Sequence, residues 1–165
     1  GILRLQGRKG NKVDICRITD TLECMKEVKR WREAIISGPV LLDSGKRISY
    51  AAEGSPEDAD VMINARFYKR FYAGRHPRTA VGYTQDGWLY FIVVDGRFPG
   101  KADGMSMREL QALAEALGLH EAMNLDGGGS STLWTKTDGV LNHPCDNKIF
   151  DNNGERIVPN ILILK

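Results

Sequence analysis

Three cysteines in 165 residues are too few, and the wrong parity, for a disulfide framework. Cys16 follows a β-like run and Cys24 falls on a helical stripe with Val28, Trp31 and Ile35, so both read as core packing. His143-Pro144-Cys145 has no second Cys/His pair at ligand spacing, which argues against a structural metal. No apolar run approaches the roughly 20 residues needed to cross a bilayer, so membrane insertion is not expected. A dominant charge is lacking too. The 23 Lys+Arg and 21 Asp+Glu leave a net charge of +2, which gives no argument for a nucleic-acid partner or an acidic membrane. Gly rather than Met stands at position 1, so a removed signal and a simple boundary both stay open.

What is present is an ordinary globular composition, 42% hydrophobic and 27% charged. A chain of this length suits one domain over residues 1–165, burying about two thirds of its unfolded surface. The most informative stretch is Asn124-Leu125-Asp126-Gly127-Gly128-Gly129-Ser130-Ser131-Thr132, between Ala122-Met123 and Leu133-Trp134. It reads as strand, tight loop, strand. Three glycines in a row cost conformational entropy that a plain connector avoids. They also let backbone N–H groups converge on an anion with no Cβ in the way. An acid before the glycines and hydroxyls after them point to an anion or sugar site; a tight turn is the plainer alternative. Known motifs fit badly. A dinucleotide fingerprint needs a following helix, and a nucleophile elbow needs glycine on both sides of its serine. Gly45-Lys46 lacks both the first glycine and the hydroxyl residue of a P-loop.

Along the chain, Leu3-Leu5 and Val13-Ile18 predict a hairpin around Gly7–Asn11. Asp20 with Glu23 predicts a capped helix running to about Ile35, and Gly38-Pro39 stops it before a short strand at Val40-Leu41-Leu42. Pro56 marks another helix start. The cluster Arg66, Phe67, Tyr68, Lys69, Arg70, Phe71, Tyr72 suits either a sugar-lining wall or core packing with snorkelling basic residues. Thr79–Thr84 and Trp88–Val94 form the clearest hairpin, which brings Arg78 and Arg97 to its open end. Two arginines there can clamp a phosphate through paired donors, or be ordinary surface residues. Ser106 with Glu109 opens a helix that Gly118 stops, which makes Glu109 a cap rather than a catalyst. Ile161–Leu164 predicts a closing strand. Strand pairs alternating with separate helices predict an α+β domain, mainly antiparallel sheet packed with two or three helices.

Several blocks then fall in one order: His76–Gly82, Val94-Asp95-Gly96-Arg97, Gly104-Met105-Ser106 with Glu109-Leu110, Asn124–Ser131 and Val158-Pro159-Asn160. With Gly38–Leu42 they resemble the phosphodiester glycosidase family over about residues 34–165. One family segment is missing: no Asn-Gly-Gly-Phe-Phe-like run precedes Gly38, and Ile63–Tyr68 is a loose echo elsewhere. The resemblance implies an α+β fold and a hydrolase that releases a sugar from a glycosyl phosphodiester of the N-acetylglucosamine-1-phosphodiester kind. It implies a site of Arg78, Thr79, Asp95, Arg97, Asn124, Asp126, Gly127, Gly128, Gly129, Ser130, Ser131 and Asn160. Family habit favours export.

Within that set the arginines and the glycine loop would hold the phosphate, with Asp126 and Asp95 as candidates to activate water or attack the sugar. Their separation would set stereochemistry, about 5–5.5 Å for retention and about 6.5–9.5 Å for inversion. No cofactor is called for, although paired aspartates are also donors for Mg²⁺ or Ca²⁺. The expected partner is a carbohydrate or phosphorylated glycan. Two other readings compete. One is a non-catalytic binder of phosphorylated glycans or cell-wall polymers, and the other is a structural domain whose glycine loop is only a turn.

Overall fold

Alternation along two neighbouring strands sets the layers of the computed structural model, which describes residues 1–6, 12–18 and 33–164. Strands β1 (Ile2–Gln6), β2 (Lys12–Cys16) and β3 (Glu33–Ile36) form an antiparallel sheet with β1 central. Strands β4 (Val40–Asp43) and β5 (Lys46–Arg47) follow, then the parallel pair β6 (Tyr50–Ala52) and β7 (Val61–Ile63). The predicted hairpin is β8 (Arg78–Tyr83) with β9 (Leu89–Val94), and β10 (Glu121–Asn124) leads into the glycine loop. A small hairpin, β11 (Trp134–Thr135) and β12 (Gly139–Val140), comes after it. The main sheet runs β5-β4-β10-β8-β9, antiparallel throughout.

Ala80 on β8 and Ala122 on β10 face the helix Met107–Ala116, in a core with Leu41, Leu42, Tyr72, Leu110 and Ala114. The next residues on the same strands, Val81 and Met123, face the other way and pack with Leu3 and Ile15 of the smaller sheet. The result is helix, five-stranded sheet, three-stranded sheet. Each fully buried aliphatic side chain here contributes about 1.5–3 kcal/mol. This is the expected α+β class.

The helix begins as its sequence predicts. Ser106 caps it, accepting from the Glu109 amide, while the Glu109 carboxylate accepts from the Ser106 amide at 2.8 Å. Arg75 also pairs with that carboxylate. The Arg75 bond first, and then the Ser106 amide, hold the Glu109 acid down to about 2. Gly118 takes a φ of 70°, the left-handed stop expected of it. A short helical turn, Ala65–Phe67, continues as a π-type turn over Tyr68–Tyr72.

Three expectations are corrected. Glu33–Ile36 is a strand against β1, Ile2 opposite Ile36, and not the end of a helix. A β-branched pair beside an open strand edge outweighs the helical pattern; residues 19–32, with the proposed Asp20 cap, lie outside those described. Pro56 starts no helix, because Asn64 supplies the cap further on, its Oδ1 accepting from the Arg66 and Phe67 amides. Ile161–Leu164 form no strand. Leu162 packs on the smaller cluster while Ile161, Ile163 and Leu164 remain exposed.

Gln111 ties the helix to the sheet. Its Nε2 donates to the carbonyls of Leu41 (3.0 Å) and Ile48 (2.8 Å), and its Oε1 accepts from the Tyr72 hydroxyl at 2.8 Å. Gln111→Leu strands these buried groups, so urea denaturation is expected to show a loss of about 2–3 kcal/mol.

Candidate functional site

Arg78 opens β8 on the sheet face shared with Ala80, so its side chain runs inward and is only 1% exposed. Three carbonyls hold it. Nε donates to Met105 at 2.8 Å, and Nη2 donates to Phe71 at 2.6 Å and to Gly74 at 2.9 Å. The guanidinium lies over the Phe71 ring, 4.8 Å from its centre. Among the described residues no carboxylate forms an ion pair with it. Burial first, and then the charge of Arg97, push its pKa down to about 10.

Arg97, three residues beyond β9, is exposed and sits at φ 67°, a left-handed conformation unusual for a residue with a Cβ. Its Nη1 lies 3.7 Å from the Cys145 sulfur. The cleft these arginines share has a volume of about 550 Å³. Asn124, Asp126, Gly127 and Gly128 line it as well. Six residues singled out from the sequence therefore meet in one hollow. Asp126 is the one carboxylate among the described lining residues, and it is exposed.

Asn124 ends β10 opposite Ala80 and is 1% exposed. Its Nδ2 donates to the carbonyls of Gly38 (2.9 Å) and Leu125 (2.6 Å), which fixes the amide's orientation. The Oδ1 atom is buried and has no hydrogen-bond partner among the described residues. An unmet buried acceptor costs about 1–3 kcal/mol, which a ligand hydroxyl or N–H would recover.

The glycine loop differs from the expected anion nest. The Gly128 amide donates to the Pro77 carbonyl at 3.1 Å, and the Gly127 amide to the Asp126 carboxylate at 2.9 Å. Ser130 and Ser131 donate to Gly127 and Gly128, closing a 3-10 turn. These amides are already bonded within the protein, to the loop or to Pro77. The glycines are required by close approach: a Cβ on Gly127 would lie 2.8 Å from the Pro77 carbonyl oxygen. Gly128 has φ +64°, and a Cβ there would meet Arg97 Nη1 at 3.0 Å.

Thr79, Asp95, Gly129, Ser130, Ser131 and Asn160 do not line the cleft. Thr79 donates to the Ser131 hydroxyl at 3.1 Å, behind the loop. Asp95 accepts from Asn142 Nδ2 (2.9 Å), the His143 amide (3.0 Å) and His143 Nδ1 (2.9 Å), so its carboxylate anchors that segment. Gly129 is buried against Asp146, and Asn160 is exposed elsewhere. Residues not singled out individually complete the walls: Asn64, His76 and Arg156. The aromatic-basic cluster divides between its two readings. Tyr72 packs in the core, while Arg66, Phe67 and Arg70 line the cleft. Among the described residues no three His, Cys, Asp or Glu side chains are grouped to hold a metal ion. No helix of the described residues is long and apolar enough to cross a membrane.

The two arginines are expected to separate in stability measurements. Arg78→Met removes the donors for three carbonyls and should lower unfolding free energy by about 2–3 kcal/mol. Arg97→Gly, at an exposed left-handed site, should leave stability unchanged or raise it by up to about 1 kcal/mol. Chemical denaturation of both variants checks this.

Comparison with known proteins supports the family reading. A stretch of 102 residues, 58% of this chain, is 31% identical to the SPbeta prophage-derived uncharacterized protein YomE of Bacillus subtilis strain 168, and covers 15% of that protein. In fold, the chain is similar to the catalytic domain of zebrafish N-acetylglucosamine-1-phosphodiester alpha-N-acetylglucosaminidase. The TM-score is 0.54 at 24% identity, covering 70% of this chain and 36% of that one. A hypothetical protein from Synechocystis gives a TM-score of 0.51 at 22% identity, with 70% and 19% covered. The chain thus spans well under half the length of each of these relatives. Residues 4–165 match the phosphodiester glycosidase family, and the chain belongs to that family.

Proposed function

We propose that the cleft binds a glycosyl phosphodiester and hydrolyses the bond between the anomeric carbon and the phosphate oxygen. The observation that carries this reading is the buried Arg78 guanidinium, which lacks a carboxylate partner among the described residues and is crowded by a second cation, Arg97. Such a site is complete only with an anion. The phosphodiester carries one negative charge, and the departing phosphate monoester carries two. The arginines therefore bind the leaving group more strongly as the bond breaks, which is the condition for lowering a barrier. Protonation of that group matters less.

Asp126 supplies the base or the nucleophile. Its Oδ1 is oriented by the Gly127 amide. As a base it takes the proton of a water whose oxygen joins the anomeric carbon. As a nucleophile it bonds that carbon first and is released by water. Asp95 acts in this reading by holding Asn142 and His143 rather than by touching the sugar. Asn124 Oδ1 accepts from a sugar hydroxyl or acetamido N–H. A non-catalytic binder of phosphorylated glycans is the second reading. It is favoured by the presence of one carboxylate, not two, among the lining residues.

Hydrolysis of an N-acetylglucosamine-1-phosphodiester in labelled water is expected to place the heavy oxygen on the sugar; label in the phosphate would overturn the mechanism. Asp126→Asn should lower kcat by about 10²–10⁴-fold while substrate still binds. Binding without any sugar release by the unmodified protein would establish the second reading.

A pH dependence follows from Arg78. Its pKa near 10 leaves it charged at neutrality, and an anion favours the charged form. Phosphodiester affinity should therefore fall as pH rises through about 10, where an ordinary arginine would not titrate. Calorimetry from pH 8 to 11 measures it.

A further inference from the structure

Three described arginines outside the cleft pair with carboxylates. Arg47 pairs with Glu115, Arg75 with Glu109, and Arg108 with Glu57. Arg156, on the cleft wall, pairs with Asp146. The remaining arginines of the wall differ. Arg66, Arg70, Arg78 and Arg97 have no carboxylate in ion-pair contact among the described residues, and Asp126 is the single acid lining the same hollow. Overall the chain is nearly neutral, at +2. Four arginines without a carboxylate partner thus share one hollow with one acid, more positive charge than one phosphodiester balances.

The four divide into two groups. Arg78 and Arg97 belong to the start of β8 and the end of its hairpin. Arg66 and Arg70 project from the Ala65–Tyr72 helical segment, about one turn apart, and both are exposed. Aromatic rings connect the groups. Arg78 lies on Phe71, and Phe71 stacks on Phe67 with 4.7 Å between centres. Phe67 is 51% exposed, an apolar face that suits the ring of a sugar between two anions. The segment is held rigidly from behind, since Tyr72 is buried and stacked on Tyr68.

We infer that the cleft is built for a glycosyl phosphodiester carrying a second phosphate, with the first held at Arg78 and Arg97 and the second at Arg66 and Arg70. This rests on the phosphodiester reading of the site. The second phosphate belongs either to a small two-phosphate molecule or to the next unit of a polymer linked by phosphodiesters.

The test compares two synthetic glycosyl-1-phosphodiesters of one sugar, the first with an uncharged aglycone and the second with a phosphate on that aglycone. The second is expected to show at least a tenfold higher kcat/KM at low salt, shrinking as ionic strength rises. The double variant Arg66→Gln, Arg70→Gln should lose at least tenfold more on the two-phosphate compound than on the other. Equal kcat/KM for the two compounds, or a preference that survives in the double variant, overturns the inference and leaves the phosphodiester reading standing. If neither compound is hydrolysed, the hydrolytic reading falls, and calorimetry with the phosphonate counterparts decides. Tighter binding of the two-anion ligand then supports the inference, and equal binding overturns it. A three-unit oligomer that exceeds the two-phosphate compound assigns a polymer; equality assigns the small molecule.

Discussion

A guanidinium withdrawn from water, with no carboxylate in ion-pair contact among the described residues, is the constraint around which this molecule is arranged. Burying a charge is expensive, and three carbonyls offset only part of the cost for Arg78. Those carbonyls come from Phe71, Gly74 and Met105, so the side chain binds the aromatic segment and the stretch before the helix to the edge of β8. The residue that makes the hollow electropositive is the same one that fastens its walls together. Function and stability share an atom group here, and Arg97 beside it adds charge without that fastening role.

The glycine loop illustrates a different division of labour. Its Gly128 amide bonds the Pro77 carbonyl, its Gly127 amide bonds the Asp126 carboxylate, and its missing side chains make room for Pro77 and Arg97. Shape, not a ring of donors, is what the three glycines contribute. Asp95 works similarly at a distance, since its oxygens are occupied by Asn142 and His143, and His143 stacks on Phe150 with 3.9 Å between ring centres. The chemistry proposed for the site then falls to few groups: two arginines, one aspartate and one unsatisfied amide oxygen.

Much of this was legible in the amino-acid order. The hairpin of Thr79–Thr84 and Trp88–Val94, the Ser106/Glu109 box and the Gly118 stop each depend on neighbours close in sequence, and each lies where expected. Glu33–Ile36 departs from the helical expectation because its partner is β1, about thirty residues away, and local pattern carries no record of a distant edge. The bond of the Gly128 amide depends on Pro77, some fifty positions earlier, and is equally hidden from local pattern. Arg66 and Arg70 stood in a cluster with two readings. Only the burial of Tyr72 on the opposite side decides which residues of that segment turn to the cleft.

The β8–β9 register has one more implication. Arg78 faces Val94 at the open end and Tyr83 faces Leu89 next to the turn, so these two ends of the hairpin are about 17 Å apart. A slip of one residue at the open end would rotate Arg78 to the Val81 side and empty the hollow of its deepest cation. Lengthening the tip at Gln85-Asp86-Gly87, exposed and remote, would disturb neither face. The hairpin is thus indifferent to length at its tip and intolerant of it at its root, which makes that tip the natural place to graft a tag or a reporter.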